Sequence, residues 1–152
     1  DCSSRGLGDV YKRQDVERYR AVVDVAVDAD NTDTASMLIK NFIENTRQFA
    51  PLYSAYDYYA PMASYVTVLF AADMPESGRL LYDAIAQVYQ NRLALFSQVP
   101  DEELPYYKES ISFEVRMYQS MLEIYQSVEP NLDSVSKANE AFRKATAPYT
   151  LD

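Results

Sequence analysis

The sequence predicts an all-α protein made of antiparallel helical hairpins. Apolar residues recur at helical spacing over long stretches, most regularly at residues 107, 111, 115, 118, 122 and 125. Short junctions rich in Pro, Asp and Asn separate these stretches, and Gly78 is the only glycine after residue 14. The alternation of helix, short polar turn and helix is typical of a hairpin array. We therefore expect about six helices stacked as a tetratricopeptide-like array.

The first fourteen residues, DCSSRGLGDVYKRQ, differ from the rest of the chain. They contain the only cysteine (Cys2) and two of the three glycines (Gly6 and Gly8), and they lack apolar periodicity. They resemble the translation of a sequencing adapter, and the alternative is a disordered natural N-terminus. We expect no function from residues 1–14, and a single helical-repeat domain over residues 15–152.

The predicted helices follow one another with short connections. The central hairpin is expected over residues 73–128, with its junction at residues 99–101. In the first helix, the run VVDVAV also fits a strand, but nothing else in the chain offers a strand partner. The helices are predicted at residues 15–29, 33–49, 61–72, from Asp73 to Phe96, after Pro105 to Val128, and 133–146.

Junction residues predict how several of these helices begin. Asp73, Pro75 and Glu76 have the spacing of an N-cap, a first-turn proline and a capping box. Asp133 or Ser134 is predicted to cap the last helix. The third helix is apolar nearly all round, so we expect it at the centre of the domain.

The predicted buried stripes define the expected core. In the fourth helix the apolar set includes Leu80 and Leu95, and in the fifth it begins at Tyr107. Arg79, Asp83, Gln87, Gln90 and Asn91 are expected on the solvent face of the fourth helix.

The composition excludes several classes of function. The chain has no histidine, and without Cys2 it has no thiol, so the usual zinc sites and the Ser-His-Asp and Cys-His catalytic devices cannot form. A net charge of −9 argues against binding to nucleic acid or anionic lipid. No apolar run approaches the length of a membrane span. We expect no catalytic residue, cofactor or metal.

Two acidic sets invite a functional interpretation. The turn at residues 28–33 suggests calcium, but it lacks the glycine of an EF-hand loop, and its twelfth position is Ile39 rather than Glu. The glutamates near the start of the fifth helix are better explained by the helix dipole and a solvated face. That second set comprises Glu102, Glu103, Glu109 and Glu114.

Residues 73–128 also resemble a known family. Leu81-Tyr82, Tyr89, Val99-Pro100 and the stretch 118–125 lie where the C-terminal helical tail of certain large bacterial multi-span membrane proteins has similar features. Those proteins resemble protein O-mannosyltransferases, and the resemblance extends over about residues 15–128. It implies a soluble segment tethered to the bacterial inner membrane, without insertion of this segment. It transfers no active-site residue, because any transferase activity would lie upstream.

Two functions are therefore predicted. The first is a non-catalytic helical-repeat domain that mediates contact with a protein or peptide partner, as a fragment of a larger membrane-anchored protein. The alternative is a small-ligand or peptide-binding domain that uses the tyrosine-rich connector 53–65. Its candidate surface consists of Tyr53, Tyr56, Tyr58, Tyr59 and Tyr65.

Overall fold

The secondary structure of the described chain is entirely helical. A computed structural model describes residues 24–49 and 60–149, with side chains at 24–41 and 65–149. Helix α1 is described at residues 24–28, and the others are α2 (Thr32–Phe49), α3 (Ala60–Ala71), α4 (Pro75–Phe96), α5 (Lys108–Val128) and α6 (Leu132–Thr146). Short 3₁₀ helices span Leu104–Tyr107 and Ala147–Tyr149. The predicted all-α class is confirmed, and residues 1–14 lie outside the described residues.

The α4–α5 hairpin forms the centre of the described structure. Helix α4 packs against α2, α3, α5 and α6, whereas α3 packs mainly against α4 and α5. One face of α3 remains open, since Val68 is 38% exposed. On its other side, α3 buries Tyr65, Val66 and Leu69.

Tyrosines at heptad spacing set the register of the hairpin. Tyr82 stacks on Tyr125 with ring centroids 3.9 Å apart, and Tyr89 lies against Tyr118 at 5.7 Å. In an antiparallel pair, a step of seven residues forward along α4 matches seven backward along α5. All four side chains are buried. Aromatic contacts of this kind stabilise beyond simple area burial, by about 0.5–1.5 kcal/mol each.

Two helix-to-helix turns have the same backbone geometry. Asp30 and Asp73 both have positive φ, at 54° and 61°. Each residue donates its N–H to the carbonyl three residues earlier, and the next N–H donates to the carbonyl five residues earlier. This is the hydrogen-bond pattern of a Schellman motif, in which a left-handed residue ends a helix. Aspartate tolerates that conformation better than most side chains.

The predicted role of Asp73 is therefore wrong. Asp73 ends α3 instead of capping α4, and the N-cap position belongs to Met74, which makes no side-chain cap. The first-turn position of Pro75 is confirmed.

The cap of α6 also differs from the prediction. Asn131 Oδ1 accepts hydrogen bonds from the backbone N–H groups of Asp133, at 3.0 Å, and Ser134, at 3.2 Å. Asn131 satisfies two of the N–H groups that a helix start leaves without partners.

Three predicted core residues are at least partly exposed. Leu95 is 60% exposed, Tyr107 is 40% exposed and Leu80 is 37% exposed. Tyr107 lies in the 3₁₀ helix before α5, whose three-residue turn displaces it from the stripe that begins at Ile111. Leu80 and Leu95 lie beside the buried stripe of α4, which includes Leu81 and Leu93.

The single glycine of the helical region has a packing role. A Cβ at Gly78 would lie 2.7 Å from Cε2 of Phe70, so the first turn of α4 can approach the Phe70 ring closely. The Phe70 ring in turn contacts Tyr125 edge-on at 6.2 Å. This close approach ties the α3–α4 turn to the tyrosine interface.

Candidate functional site: a groove between α4, α5 and α6

A groove of about 430 Å³ opens between three helices of the central region. Its lining comes from residues 79–90 of α4, 118–125 of α5 and 134–141 of α6. We call it the central groove. Alanines 86, 138 and 141 keep the opening free, because their side chains are short. Its volume lies in the range of small-molecule and peptide side-chain sites.

One end of the central groove is held by an ion pair. Arg79 donates from Nε to Oε2 of Glu129 and from Nη2 to Oε1, both at 2.8 Å. The Glu129 side chain is fully buried and that of Arg79 is 34% exposed. Bidentate pairing matches the planar guanidinium to the carboxylate. The pair links the start of α4 to the α5–α6 junction.

Glu129 has a partner for each of its remaining acceptor positions. Oε2 accepts from the Tyr125 hydroxyl at 3.1 Å, and Oε1 accepts from the Asn131 N–H at 2.9 Å. The hydrogen bonds from Arg79 come first among the causes that hold the pKa of Glu129 below its ordinary value. The carboxylate therefore stays ionised and fixes the entry into α6.

The floor of the groove contains three tyrosine hydroxyls in different states. Tyr125 donates to Glu129, and the Tyr118 oxygen accepts from Nε2 of Gln90 at 2.8 Å. The buried Tyr82 hydroxyl has no hydrogen-bond partner among the described residues. Burial is the main cause that raises the pKa of Tyr82 and Tyr118, and it raises that of Tyr125 to about 12. All three tyrosines are therefore neutral at physiological pH.

Asp83 places an unpaired carboxylate in the wall of the groove. Among the described residues it makes no hydrogen bond and no ion pair, although it lines the groove beside Arg79. Asp83 is an exposed residue, and partial desolvation of its carboxyl, followed by the charge of Glu129, raises its pKa. Burial is the largest cause of the raised pKa of all three tyrosines, and the charge of Asp83 is a smaller one.

A second ion pair lies at the other end of the hairpin, outside the groove. Arg92 contacts Oε1 of Glu114 from Nη2 at 2.6 Å and from Nε at 2.8 Å, while Oε2 of Glu114 has no partner among the described residues. Glu114 is 5% exposed, so its predicted place on a solvated face is wrong. Glu102, Glu103 and Glu109 are exposed, as predicted.

The tyrosines proposed as a surface are placed only in part. Tyr65 is buried and donates its hydroxyl to Oδ2 of Asp24 at 3.1 Å, so its ring belongs to the core between α1 and α3. Tyr53, Tyr56, Tyr58 and Tyr59 lie outside the described residues. The groove therefore draws on none of the described residues from the predicted surface.

The acidic turn at residues 28–33 has a structural role in the described chain. Asp30 takes the left-handed conformation that ends α1, and Asn31 Oδ1 accepts from the N–H of Thr34 at 3.1 Å. Within the described ranges no group of three or more acidic, His or Cys side chains is arranged to hold a metal ion. No helix of the described ranges is both long enough and apolar enough to cross a bilayer.

The central groove and its ion pair were missed at the level of sequence. Asp83, Gln87 and Asn91 are exposed, as predicted for the solvent face of α4, whereas Arg79 and Gln90 are half-buried. The pattern did not predict that residues of this face line a groove, and Glu129 was not singled out. One signal was present in the sequence. Arg79 and Arg92 flank the tyrosine pair of α4, and Glu114 and Glu129 flank that of α5. In an antiparallel hairpin, such residues are brought opposite each other.

The described residues form an all-helical hairpin architecture with a groove between α4, α5 and α6. No family model matches the chain, and no curated protein or solved structure matches it.

Proposed function

We propose that this chain is a non-catalytic helical-hairpin domain that binds an extended segment of a partner protein in the central groove. The main support is the groove itself, which combines a tyrosine floor with side-chain amides and charged groups on its walls. Gln87, Gln90 and Ser134 offer the donors and acceptors that a peptide backbone needs. Aromatic floors with polar rims are typical of protein interfaces.

The repeated turn geometry supports an array of helical hairpins. The same turn, helix start and pattern of buried positions occur in residues 26–39 and again in residues 69–82, with an offset of 43 residues. Ile39 corresponds to Tyr82, and Ala35 corresponds to Gly78. The hydroxyls of Ser36 and Ser77, at 2.5 Å, join the two copies. Arrays of hairpins form extended surfaces for protein contact.

The wider setting of the domain is proposed from the family resemblance. On that proposal the domain is the tail of a membrane-anchored bacterial protein, and it faces its partner from the membrane surface. Sequencing of the coding region upstream of residue 15 tests this setting. Several predicted membrane spans in the same reading frame support it, and a complete frame without spans contradicts it.

Blocking the groove tests the binding function. A displayed library of random dodecapeptides is selected on the purified chain, and Kd values of the enriched peptides are measured by fluorescence anisotropy. We expect Kd values on the order of 10 μM, which correspond to a modest interface. Ala141→Trp fills the groove, and Gln87→Trp covers its exposed rim, so each should weaken binding at least tenfold.

The matched control is Ala94→Trp, on an exposed position of α4 outside the groove. It should leave the Kd unchanged, and circular dichroism checks that all three variants fold. Failure to enrich any peptide contradicts the proposal. Equal binding by Gln87→Trp, Ala141→Trp and the parent chain also contradicts it.

A further inference from the structure

A second groove lies at the junction end of the α4–α5 hairpin, away from the central groove. Its volume of about 1310 Å³ exceeds the ~300–1,000 Å³ of typical small-molecule pockets, so a protein surface fits it better than a small ligand does. We call it the hairpin-end groove. Its lining comprises Arg92 and Phe96 of α4, Tyr107 before α5, and residues 108–110, 112–114 and 116 of α5.

The exposed aromatic side chains of the described residues are concentrated at this groove. Tyr106 is 86% exposed, Tyr107 is 40% exposed and Phe113 is 37% exposed, and no other aromatic side chain in residues 24–41 and 65–149 is exposed. Tyr107 and Phe113 line the groove, and the centroid of the Tyr107 ring lies 5.9 Å from that of Phe96. Exposed aromatic residues grouped in this way are typical of surfaces that contact another protein.

The charge of the hairpin-end groove differs from that of the chain as a whole. Its lining has three basic and two acidic side chains, whereas the chain has 14 basic and 23 acidic residues. Two copies of a chain with a net charge of −9 repel each other over most of their surfaces. Self-association is therefore least opposed at this groove, where the lining has an excess of positive charge.

The face of α5 at this groove is complementary to itself. Four of the lining residues share this face, at the spacing i, i+3, i+4 and i+7: Glu109, Ser112, Phe113 and Arg116. Glu109 lies three residues before Ser112, and Arg116 lies three residues after Phe113. If two such helices pack antiparallel and cross at the central pair, Glu109 of each copy lies opposite Arg116 of the partner subunit. The Phe113 ring then meets Ser112 of the partner subunit, whose short side chain leaves room for it.

We propose that the chain forms a two-fold symmetric dimer in which the α5 helices of two copies pack antiparallel across the hairpin-end groove. A two-fold interface places the same patch of both subunits in contact, so the patch must complement itself, and this face does so in charge and in side-chain size. Exposed ion pairs contribute little to affinity, so the aromatic rings supply most of the binding energy and the charges set the register. The dimer goes beyond the function proposed above, because the two grooves share no residue.

Sedimentation velocity of the full chain over a range of concentrations measures this association. We expect a monomer–dimer equilibrium with a Kd on the order of 10 μM, which corresponds to a modest interface. Phe113→Ser should raise the Kd at least tenfold, because it removes the largest side chain at the crossing.

A charge exchange tests the register of the two helices. Glu109→Arg and Arg116→Glu each bring like charges together, so each variant alone should dimerise at least tenfold more weakly than the parent chain. A mixture of the two variants has opposite charges at both contacts and should form a mixed dimer with a Kd within about threefold of the parent value. Circular dichroism checks that both variants fold.

The matched controls are Glu140→Arg and Arg143→Glu. They make the same two charge changes at exposed positions of α6, outside the hairpin-end groove. Each should dimerise as the parent chain does.

Three results would overturn the dimer. The first is a chain that stays monomeric at every concentration, in which case the groove faces solvent or a different protein. The second is a Kd that neither charge variant changes. The third is a mixture of the two folded charge variants that does not associate. Peptide binding in the central groove is measured separately, so failure of the dimer leaves the proposed function standing.

The reverse also holds. A dimer that forms as expected, with no peptide bound by the central groove, supports the α5 interface and contradicts the proposed function.

Discussion

The α4–α5 hairpin has a buried ion pair near each of its ends, and the two pairs are bonded differently. Arg79 and Glu129 meet through two parallel hydrogen bonds, and both carboxylate oxygens have a further partner. Arg92 makes two contacts with one oxygen of Glu114, and the other oxygen has no partner among the described residues. The same two residue types therefore form one fully satisfied pair and one partly satisfied pair.

The difference follows from what lies beside each glutamate. Glu129 is in the junction between α5 and α6, where the Asn131 N–H is free to donate and Tyr125 lies one helical turn earlier. Glu114 lies within α5, where backbone N–H groups are already used by the helix. A buried carboxylate at a helix junction can thus be satisfied by the backbone, whereas one in a helix middle depends on side chains alone.

The largest expected effect comes from removal of Glu129. Glu129→Ala should lower the free energy of unfolding by about 3 kcal/mol, because it leaves Arg79 unpaired and removes the bonds to Tyr125 and Asn131. The Arg79 side chain is about one-third exposed, so water offsets part of the cost. Glu114→Ala should cost about 1 kcal/mol less, since it also removes an unpartnered oxygen. Urea denaturation of both variants measures the difference.

A double-mutant cycle sharpens this comparison. Arg79→Ala, Glu129→Ala and the double variant give the coupling energy of the first pair, and Arg92→Ala with Glu114→Ala gives that of the second. The comparison fails if the second pair couples as strongly as the first.

Acid should act in opposite directions through the carboxyl groups of Glu129 and Asp83. The pKa of Glu129 is lowered in the folded protein, so its stabilising contribution is complete above its unfolded pKa of about 4.3 and is lost as the pH falls through the folded value. The raised pKa of Asp83 acts in the opposite direction, since the folded state disfavours its charge as the pH rises. Urea midpoints between pH 3 and 7 measure both effects.

Two amide variants separate these contributions. Glu129→Gln should flatten the acid loss of stability, and Asp83→Asn should make the remaining dependence steeper. An unchanged pH profile in Glu129→Gln would show that the lowered pKa of Glu129 has no role in acid unfolding.

The smallest expected effect concerns the orphan hydroxyl beside the first ion pair. Tyr82→Phe should raise the free energy of unfolding by about 1 kcal/mol, because it removes a buried group without a partner and keeps the stacking on Tyr125. Tyr118→Phe is the matched control and should be destabilising, since it leaves the Gln90 amide without its acceptor. Thermal melts compare the two, and a loss of stability in Tyr82→Phe would mean that its hydroxyl is satisfied in solution.

Much of the fold could be predicted, because the relevant information is local. The period of the apolar residues predicted helices α2 to α6 close to their observed ends, and proline located the hairpin junction. The prediction for Asp73 was wrong, because aspartate is favourable both as an N-cap and in the left-handed conformation. Local sequence does not distinguish the end of one helix from the start of the next when the turn has three residues.

The candidate groove could not be predicted in the same way. Arg79 and Asp83 look alike in sequence, as polar residues on the open face of α4. Their different states depend on Glu129, which lies fifty residues after Arg79 and forms an ion pair with it. Leu80 and Leu95 were predicted in the core but are exposed. Apolar periodicity identifies the face of a helix that is buried, but not how much of that face the neighbouring helices cover.

The sequence by itself determined the class of structure and the chemistry that is absent from it. Apolar spacing, proline positions and the lack of histidine are local or compositional properties. They can therefore be recognised without knowing which residues are in contact in the folded chain. Tertiary structure decided which tyrosines stack and which carboxylates form ion pairs, and it leaves the Tyr82 hydroxyl without a partner among the described residues. The physical reason is that hydrogen bonding and desolvation depend on atoms a few ångströms away, and those atoms come from helices far apart in the chain.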